Sequence, residues 1–377
     1  MKTRHIILAA AAAILAGCCN NAPEADGNFA ANLKLTDYEP VSLFKLSEHH
    51  PAAAKFTAID MHSHDVFAKT DGKLDIEKIK EWVKLMDDNN IQRSVIFTGT
   101  TGAAFDEAYD TFTSISDKFE VWCGIDFSKW GTPEFAEASV AELQRCYEKG
   151  AKGVGELSDK GFGLRDGKGG FATHMNDPLL DPFFEKCAEL HMPVNIHEGD
   201  PIWMYAPMDE HNDGYMNSWA WRIDPDQEGL LGLYELVGTL EERLDRSPRT
   251  TFVACHLINI SHDYDYLAGV LERHPDNLFI DISARIVETC VTPRATKRFY
   301  EKYQDRILFG TDNLQCERMY DLQWRCLETE DEHFYDKDPN FFATENSIYH
   351  WPLHGIGLSD ECLRKIYHDN AVKVMGY

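Results

Sequence analysis

The sequence predicts an α/β protein built as an eight-stranded parallel barrel wrapped in helices, a (β/α)8 or TIM barrel. Three observations carry this expectation. From about residue 55 onward, short Val/Ile/Phe-rich runs alternate with longer amphipathic ones. The short runs are almost continuously apolar, as parallel strands covered on both faces are. No glycine-rich phosphate loop follows the first run, which disfavours an open doubly wound sheet.

The elements follow in order. "FTAID" (56–60) is the first strand, and "DIEKIKEWVKLMDD" the helix behind it. "SVIFTG" (94–99) and "FEVWCGID" (119–126) are the next strands, then the helix "PEFAEASVAELQRCYEKG". Strand "KGVGEL" (152–157) precedes helix "DPFFEKCAELH", and strand "PVNIHEG" (193–199) precedes helix "LLGLYELVGTLEERLD". "TTFVACHL" (250–257), helix "DYLAGVLERH", "NLFIDIS" (277–283) and "RILFGTD" (306–312) complete the ring. A last helix, "SDECLRKIYHDNAVKVMG", starts from Ser359 as N-cap. The helical runs space apolar residues near three and four, and several stop at Gly, Asn or Pro. Two connections are long: 199 to about 227 after strand five, and 313 to about 357 after strand eight. Both carry aromatics, in "PIWMY" (201–205), "YMNSWAW" (215–221) and "NSIYHWPLHG" (346–355), which predicts loops folded over a site.

The N-terminus reads as an export signal. Lys2 and Arg4 precede about eleven apolar residues, "IILAAAAAILA", too few to span a bilayer. "LAGC", Leu15 to Cys18, resembles the lipobox of bacterial lipoproteins, which implies cleavage before Cys18, lipidation of that residue and an extracytoplasmic, membrane-anchored protein. The expected organisation is a signal peptide over 1–17, a tether and N-terminal extension over 18–50, and the barrel over 51–377. A formal charge of −26 gives no positive field to gather phosphates, so nucleic acid is an unsuitable partner and a small molecule the expected one. The oligomeric state is open, a homo-oligomer included. Ten cysteines are present, but apart from Cys18 and Cys19 they show no paired spacing. Neither a disulfide framework nor a zinc ribbon is predicted, and Cys123 and Cys255 read as small buried hydrophobes.

The active site of a parallel barrel lies at the C-terminal ends of its strands. There this sequence places Asp60, His62 and His64 (strand one), Glu156 (four), His197 (five), His256 (six) and Asp312 (eight). Side chains at i and i+2 of a strand share a face, so His62 and His64 can act as a pair. A set of nitrogen and oxygen donors at one end of a barrel is the pattern of a divalent metal site.

"DMHSH", "NIHE", "ACHL" and "LFGTD" resemble, in order and strand context, the ligand strands of the amidohydrolase superfamily; "LFGTDN" and the final helix resemble its amidohydrolase-related branch. The resemblance spans roughly residues 55 to 377. It implies His62, His64, His197 and Asp312 as metal ligands, with Zn²⁺ the expected ion, one or two per chain. Asp312 would also be the general base toward a metal-activated water, and His256 would face the carbonyl or a second ion. Glu156 resembles the bridging carboxylate of two-metal branches; pairing with a basic group or substrate is its other reading. Arg285 could pin a substrate carboxylate bidentately or form an exposed salt bridge. Trp203, Tyr205, Trp219, Trp221 and His262 could line a pocket, Glu198 could support His197, and Asp60 could orient a first-strand ligand. The activity implied is hydrolysis of a small lactone, ester or amide. The alternative is non-oxidative decarboxylation of a carboxylated small molecule, which Arg285 would suit. A non-catalytic envelope-binding protein would have no reason to hold the whole donor set.

Overall fold

Eight short apolar runs do form strands, all parallel: β1 (Ala58–His64), β2 (Ile91–Phe97), β3 (Phe119–Trp122), β4 (Val154–Asp159), β5 (Val194–Glu198), β6 (Phe252–Ala254), β7 (Leu278–Asp281) and β8 (Ile307–Leu308). The computed structural model describes residues 32–34, 38, 40–218, 221–336 and 351–376. The strands pair in two arcs, β1-β2-β3 and β4-β5-β6-β7-β8. Two seams join the arcs. Cys123 N donates to Gly153 O (3.1 Å) and Gly155 N to Cys123 O (2.9 Å) between β3 and β4. Met61 N donates to Phe309 O (3.0 Å) and Asp312 N to His62 O (2.9 Å) between β8 and β1. These bonds make the ring a closed (β/α)8 barrel, which leaves no free strand edge.

Ile59, Met61, Val95, Phe97, Trp122, Val253, Phe279 and Leu308 form one apolar cluster, with Ala371 and Val374 of the C-terminal helix against it. Residues from β1–β3 and β6–β8 can meet this way only inside the ring, so this cluster is the barrel's filling. A larger cluster lies between the strands and the outer helices.

The helices are α1 (Ile76–Asp88), α2 (Gly102–Ile115), α3 (Phe135–Lys149), α4 (Asp181–Glu189), α5 (Leu233–Arg246), α6 (Tyr264–Arg273), α7 (Pro293–Lys302) and α8 (Glu317–Glu328). Asp75 caps α1 by accepting from Glu77 N and Lys78 N, and Ser359 caps the last helical segment through Cys362 N. The connection after β8 is not the long loop expected: α8 occupies its first part. Tyr320 and Trp324 of α8 stack on each other (5.9 Å between ring centroids), and Trp324 also meets Phe309 (5.2 Å) and Tyr367 (5.4 Å). Of the aromatics expected over a site after β8, Tyr349 lies outside the described residues and Trp351 lines a cavity together with Trp203. The connection after β5 is long as expected and, among its described residues, holds the helical turns Ile202–Met204 and Tyr215–Ser218.

The chain divides into Met1–Pro40 and Val41–Tyr377. The body therefore starts earlier than residue 51: His49 N and Nδ1 bond Asp331 at 2.8 and 2.6 Å, and Ser42 Oγ lies 3.1 Å from His333 Nδ1. The signal peptide, Cys18 and Trp219 lie outside the described residues. Among the described residues no helix is long and apolar enough to cross a membrane. Cys123, Cys146, Cys187, Cys255, Cys290, Cys316, Cys326 and Cys362 are free thiols, all buried except the half-buried Cys316.

Candidate metal centre

The barrel brings His62, His64, Glu156, His197, His256 and Asp312 to one point at its C-terminal mouth. His62 Nε2 and His64 Nε2 are 3.3 Å apart. Asp312 Oδ1 lies 3.2 Å from His64 Nε2 and 3.8 Å from His62 Nε2, and its Oδ2 lies 3.7 Å from His256 Nε2. Glu156 spans the group. Its Oε1 is 2.6 Å from His197 Nδ1, 3.6 Å from His256 Nε2 and 3.9 Å from His62 Nε2, while Oε2 is 3.7 Å from His64 Nε2. The Phe97 ring walls the first-strand pair, 4.8 Å from the His62 ring and 5.6 Å from that of His64.

Outer partners fix which nitrogen of each ring faces inward. His62 Nδ1 donates to Asp281 Oδ2 at 3.0 Å, leaving Nε2 to face the centre. His256 Nδ1 donates to the Ser283 carbonyl at 2.9 Å, so its Nε2 carries the lone pair. His197 Nε2 donates to Gly199 O at 2.8 Å, so its Nδ1 lone pair meets Glu156 Oε1 at 2.6 Å. Two acceptors at that distance repel unless a proton or a cation lies between them. The arrangement is that of ligating histidines oriented through their second nitrogen, and the donor set fits a divalent ion.

Electrostatics agree. Burial opposes charge on His62, but Asp281, Asp312 and Glu156 outweigh it and raise its pKa to about 9. Burial would raise the Glu156 carboxyl, yet His197, His256 and His64 hold it well below the usual range. Asp312 is lowered likewise, His62 and His64 outweighing burial. These acids are negative at neutral pH and pull His62 and His64 toward the protonated form, a field that calls for positive charge. Burial pushes His256 down to about 4. Its Nε2 therefore carries no proton at neutral pH, which suits a ligand better than the carbonyl-polarising donor read from the sequence.

Local backbone geometry aims the His256 and Asp312 side chains. His256, Leu257, Ile258 and Asn259 all have positive φ (58°, 55°, 55° and 56°), as does Asp312 (48°). Left-handed backbone costs roughly 1–2 kcal/mol per non-glycine residue, so tertiary contacts must hold it. Asn259 Nδ2 donates to Glu198 O (3.0 Å) and Gly199 O (3.1 Å), and His256 N to Asp281 Oδ1 (3.0 Å).

The other expected residues divide. Asp60 does anchor the first-strand ligand: Oδ1 accepts from His62 N (3.2 Å) and Thr311 N (3.0 Å), Oδ2 from Thr311 Oγ1 (2.7 Å). Glu198 does not support His197. Successive strand residues face opposite ways, and its carboxyl is buried without a hydrogen bond among the described residues. Arg285 forms no exposed salt bridge: it is buried, with Nε on Asn259 Oδ1 (3.1 Å), Nη1 on Ala284 O (2.8 Å) and Nη2 also on Asn259. Trp203 and His262 line a cavity, and Trp221 lines another. Tyr205 instead offers its hydroxyl oxygen to Asp200 N at 3.2 Å. Sequence reasoning missed Asp281, Ser283, Asn259 and Cys255, whose Sγ lies 3.4 Å from Glu156 Oε1. A buried Asp inside "LFID" was the available signal for the first.

The amidohydrolase family profile matches residues 59–376, nearly the whole barrel. The chain belongs to the amidohydrolase family. It is an enzyme of the amidohydrolase type with a divalent-metal site. Among solved structures, a candidate amidohydrolase from Staphylococcus aureus is 14% identical, covers 85% of this chain and 100% of its own, and has a TM-score of 0.53. 2,6-Dihydroxybenzoate decarboxylase from Rhizobium is 16% identical over 85% of this chain and 99% of its own, with a TM-score of 0.51. A dihydroxybenzoic acid decarboxylase from Polaromonas sp., with bound manganese, is 15% identical over 85% of this chain and 97% of its own (TM-score 0.51). At such identities these likenesses establish the amidohydrolase barrel as the shared fold. No curated protein matches the chain at a significant level.

Proposed function

We propose that this amidohydrolase is a metal-dependent hydrolase of a small lactone, ester or amide. The observation that supports it is the convergence of four imidazoles, those of His62, His197 and His256 each oriented by an outer hydrogen bond, on Glu156 and Asp312. His62, His64, His197 and Asp312 would hold the ion, with Zn²⁺ suited to this nitrogen and carboxylate set. A divalent ion there supplies Lewis acidity and makes water nucleophilic near neutral pH. Asp312, kept ionised by His62 and His64, accepts the attacking water's proton at a carboxylate oxygen and returns it to the leaving group. Glu156 lies between the His64 side and the His197–His256 side, and with His197 and His256 it would hold a second ion if one binds. Lipidation at Cys18 would hold the enzyme on the extracytoplasmic side of a membrane.

The competing decarboxylase reading needs a free cationic anchor for a substrate carboxylate. Arg285, the residue expected there, commits its guanidinium to Asn259 and Ala284. That observation favours hydrolysis. The test is elemental analysis of protein purified without added metal, followed by a panel of lactones, esters and amides, with 2,6-dihydroxybenzoate as the decarboxylation probe. One or two ions per chain and hydrolysis of a panel member are expected. Release of CO₂ from the benzoate without any hydrolysis would favour the rival chemistry, and activity in metal-free protein would sink both. His62→Ala with His64→Ala should abolish metal retention, whereas Glu156→Gln should drop the content to one ion if two are bound.

A further inference from the structure

Cys255 brings a thiol into the floor of the metal centre. Along β6, Val253 joins the barrel's filling and Ala254 the outer apolar cluster, so Cys255 returns to the inside. Strict alternation would send His256 outward. Its left-handed backbone (φ 58°) instead swings the ring back, 4.9 Å from that of His62, and the two successive side chains reach one point. Cys255 is fully buried and a free thiol. Its Sγ lies 3.4 Å from Glu156 Oε1, which stands 3.6 Å from His256 Nε2 and 2.6 Å from His197 Nδ1. One ligand atom from each of Glu156, His197, Cys255 and His256 lies within 4.8 Å of the other three. Among the described residues no other cysteine joins such a group.

Four ligands about 2.0–2.3 Å from a tetrahedral zinc ion stand roughly 3.3–3.8 Å from one another. The Cys255 and His256 separations from Glu156 fall in that range, and that of His197 must lengthen by about 0.7 Å. A second observation points to a cation here instead of a simple hydrogen-bonded thiol. His256 is 1% exposed and its Nδ1 donates to the Ser283 carbonyl, so its Nε2 is a buried acceptor. That atom faces carboxylate oxygens of Glu156 (3.6 Å) and Asp312 (3.7 Å), which are acceptors too. Buried acceptors without a donor are costly. The thiol proton can satisfy Glu156 alone, whereas one cation satisfies all four groups.

We propose that Cys255, as thiolate, is a ligand to a second metal ion completed by Glu156, His197 and His256, and that its sulfur makes this position selective for Zn²⁺ over Mn²⁺. Burial and the carboxylates of Glu156, Asp281 and Asp312 keep the thiol protonated until an ion enters; its proton then leaves to water as the metal–sulfur bond forms. Thiolate is a soft ligand that suits zinc, and Mn²⁺ favours hard oxygen donors. With four protein ligands the position is closed, whereas His62, His64 and Asp312 leave room at the other ion. The inference rests on the second ion of the proposed function, not on which bond is cleaved.

The test is X-ray absorption at the zinc edge of the full-length protein loaded with zinc. Loading should reach two ions per chain, with one sulfur neighbour at about 2.3 Å for every two zinc ions. Cys255→Ser should remove the sulfur shell and weaken Zn²⁺ relative to Mn²⁺ at least about tenfold in a competition titration. Nitrogen and oxygen neighbours alone in the unmodified protein, loading that stops at one ion, or sulfur scattering that survives in folded Cys255→Ser would overturn the assignment. Should that variant not fold, Glu156→Gln replaces it: loss of the second ion must take the sulfur shell with it, and retained sulfur would overturn the assignment equally. Sulfur ligation without hydrolysis of any panel compound keeps Cys255 as a ligand and sinks the hydrolase reading. Hydrolysis by protein without the sulfur shell does the reverse.

Discussion

Asp281 shows how much one residue can organise. Its buried carboxylate accepts from His62 Nδ1 (3.0 Å), His256 N (3.0 Å), Ser283 N (3.1 Å) and Asn195 Nδ2 (3.3 Å), tying β1, β5, β6 and β7 together behind the ligands. Replacing a residue that orients a ligating histidine costs about 10–100-fold in metal affinity. Asp281→Asn should fall in that range in a competition titration with a chelator, and an affinity within about twofold of the unmodified protein would reduce Asp281 to a folding role. Glu120 on β3 illustrates a buried acid with the opposite consequence. Burial raises its pKa from 4.5 to about 6, Arg93 only partly opposing, and Oε2 has no hydrogen bond among the described residues. The folded state thus binds this proton more tightly than the unfolded chain, and stability is lost as pH rises from 4.5 to about 6, by about 2 kcal/mol. Glu120→Gln should therefore gain roughly 1–2 kcal/mol in urea unfolding at pH 7.5, with the gain vanishing near pH 4.5. At this scale the sequence reveals the paired side chains that meet at the site, because two histidines one residue apart on a strand share a face whatever surrounds them. It conceals Asp281, whose role exists only through partners far away in the chain.

Among elements, the seam between β8 and β1 carries the greatest functional load. A Cβ on Gly310 would sit 2.7 Å from His62 Cβ and 3.3 Å from both His62 N and Ser283 Cβ, so only glycine lets the two strands close here. Gly310→Ala should cost about 1–3 kcal/mol by overpacking and, by displacing His62, loosen metal binding as well. Thermal unfolding with and without added Zn²⁺ would show both, and a stability loss with unchanged metal affinity would separate the seam from the site. The left-handed run His256–Asn259 after β6 is equally specific and was invisible in sequence, since "HLIN" contains no glycine to signal positive φ. Helix α8 was hidden for another reason. The stretch was expected to be part of a long loop, yet its Tyr320 and Trp324 stack on each other and Trp324 packs against Phe309 and Tyr367. Composition cannot tell a lining aromatic from a buried one; the contact partners decide.

As a whole, the molecule places its body in Val41–Tyr377, with the two apolar clusters, the closed ring and the residues that could hold a metal all within it. A chain beginning at Val41 should unfold in a single cooperative transition and retain the metal. Loss of folding in that chain would make the first forty residues part of the body. Cys18→Ser in the full chain should move the protein from the membrane to the soluble fraction without altering its metal content; continued membrane association would remove the lipid anchor from the proposal.

By itself the sequence determined the order of elements, the barrel class and the seven polar residues at strand ends. Those follow from hydrophobic period and from position within a strand, both of which are local. Only the tertiary structure decided which imidazole nitrogen faces the site, which acid stands behind His62, and that Arg285 is committed to Asn259. Each of these depends on groups dozens to hundreds of positions apart meeting within hydrogen-bond distance, and a directional bond of that kind leaves no trace in local pattern.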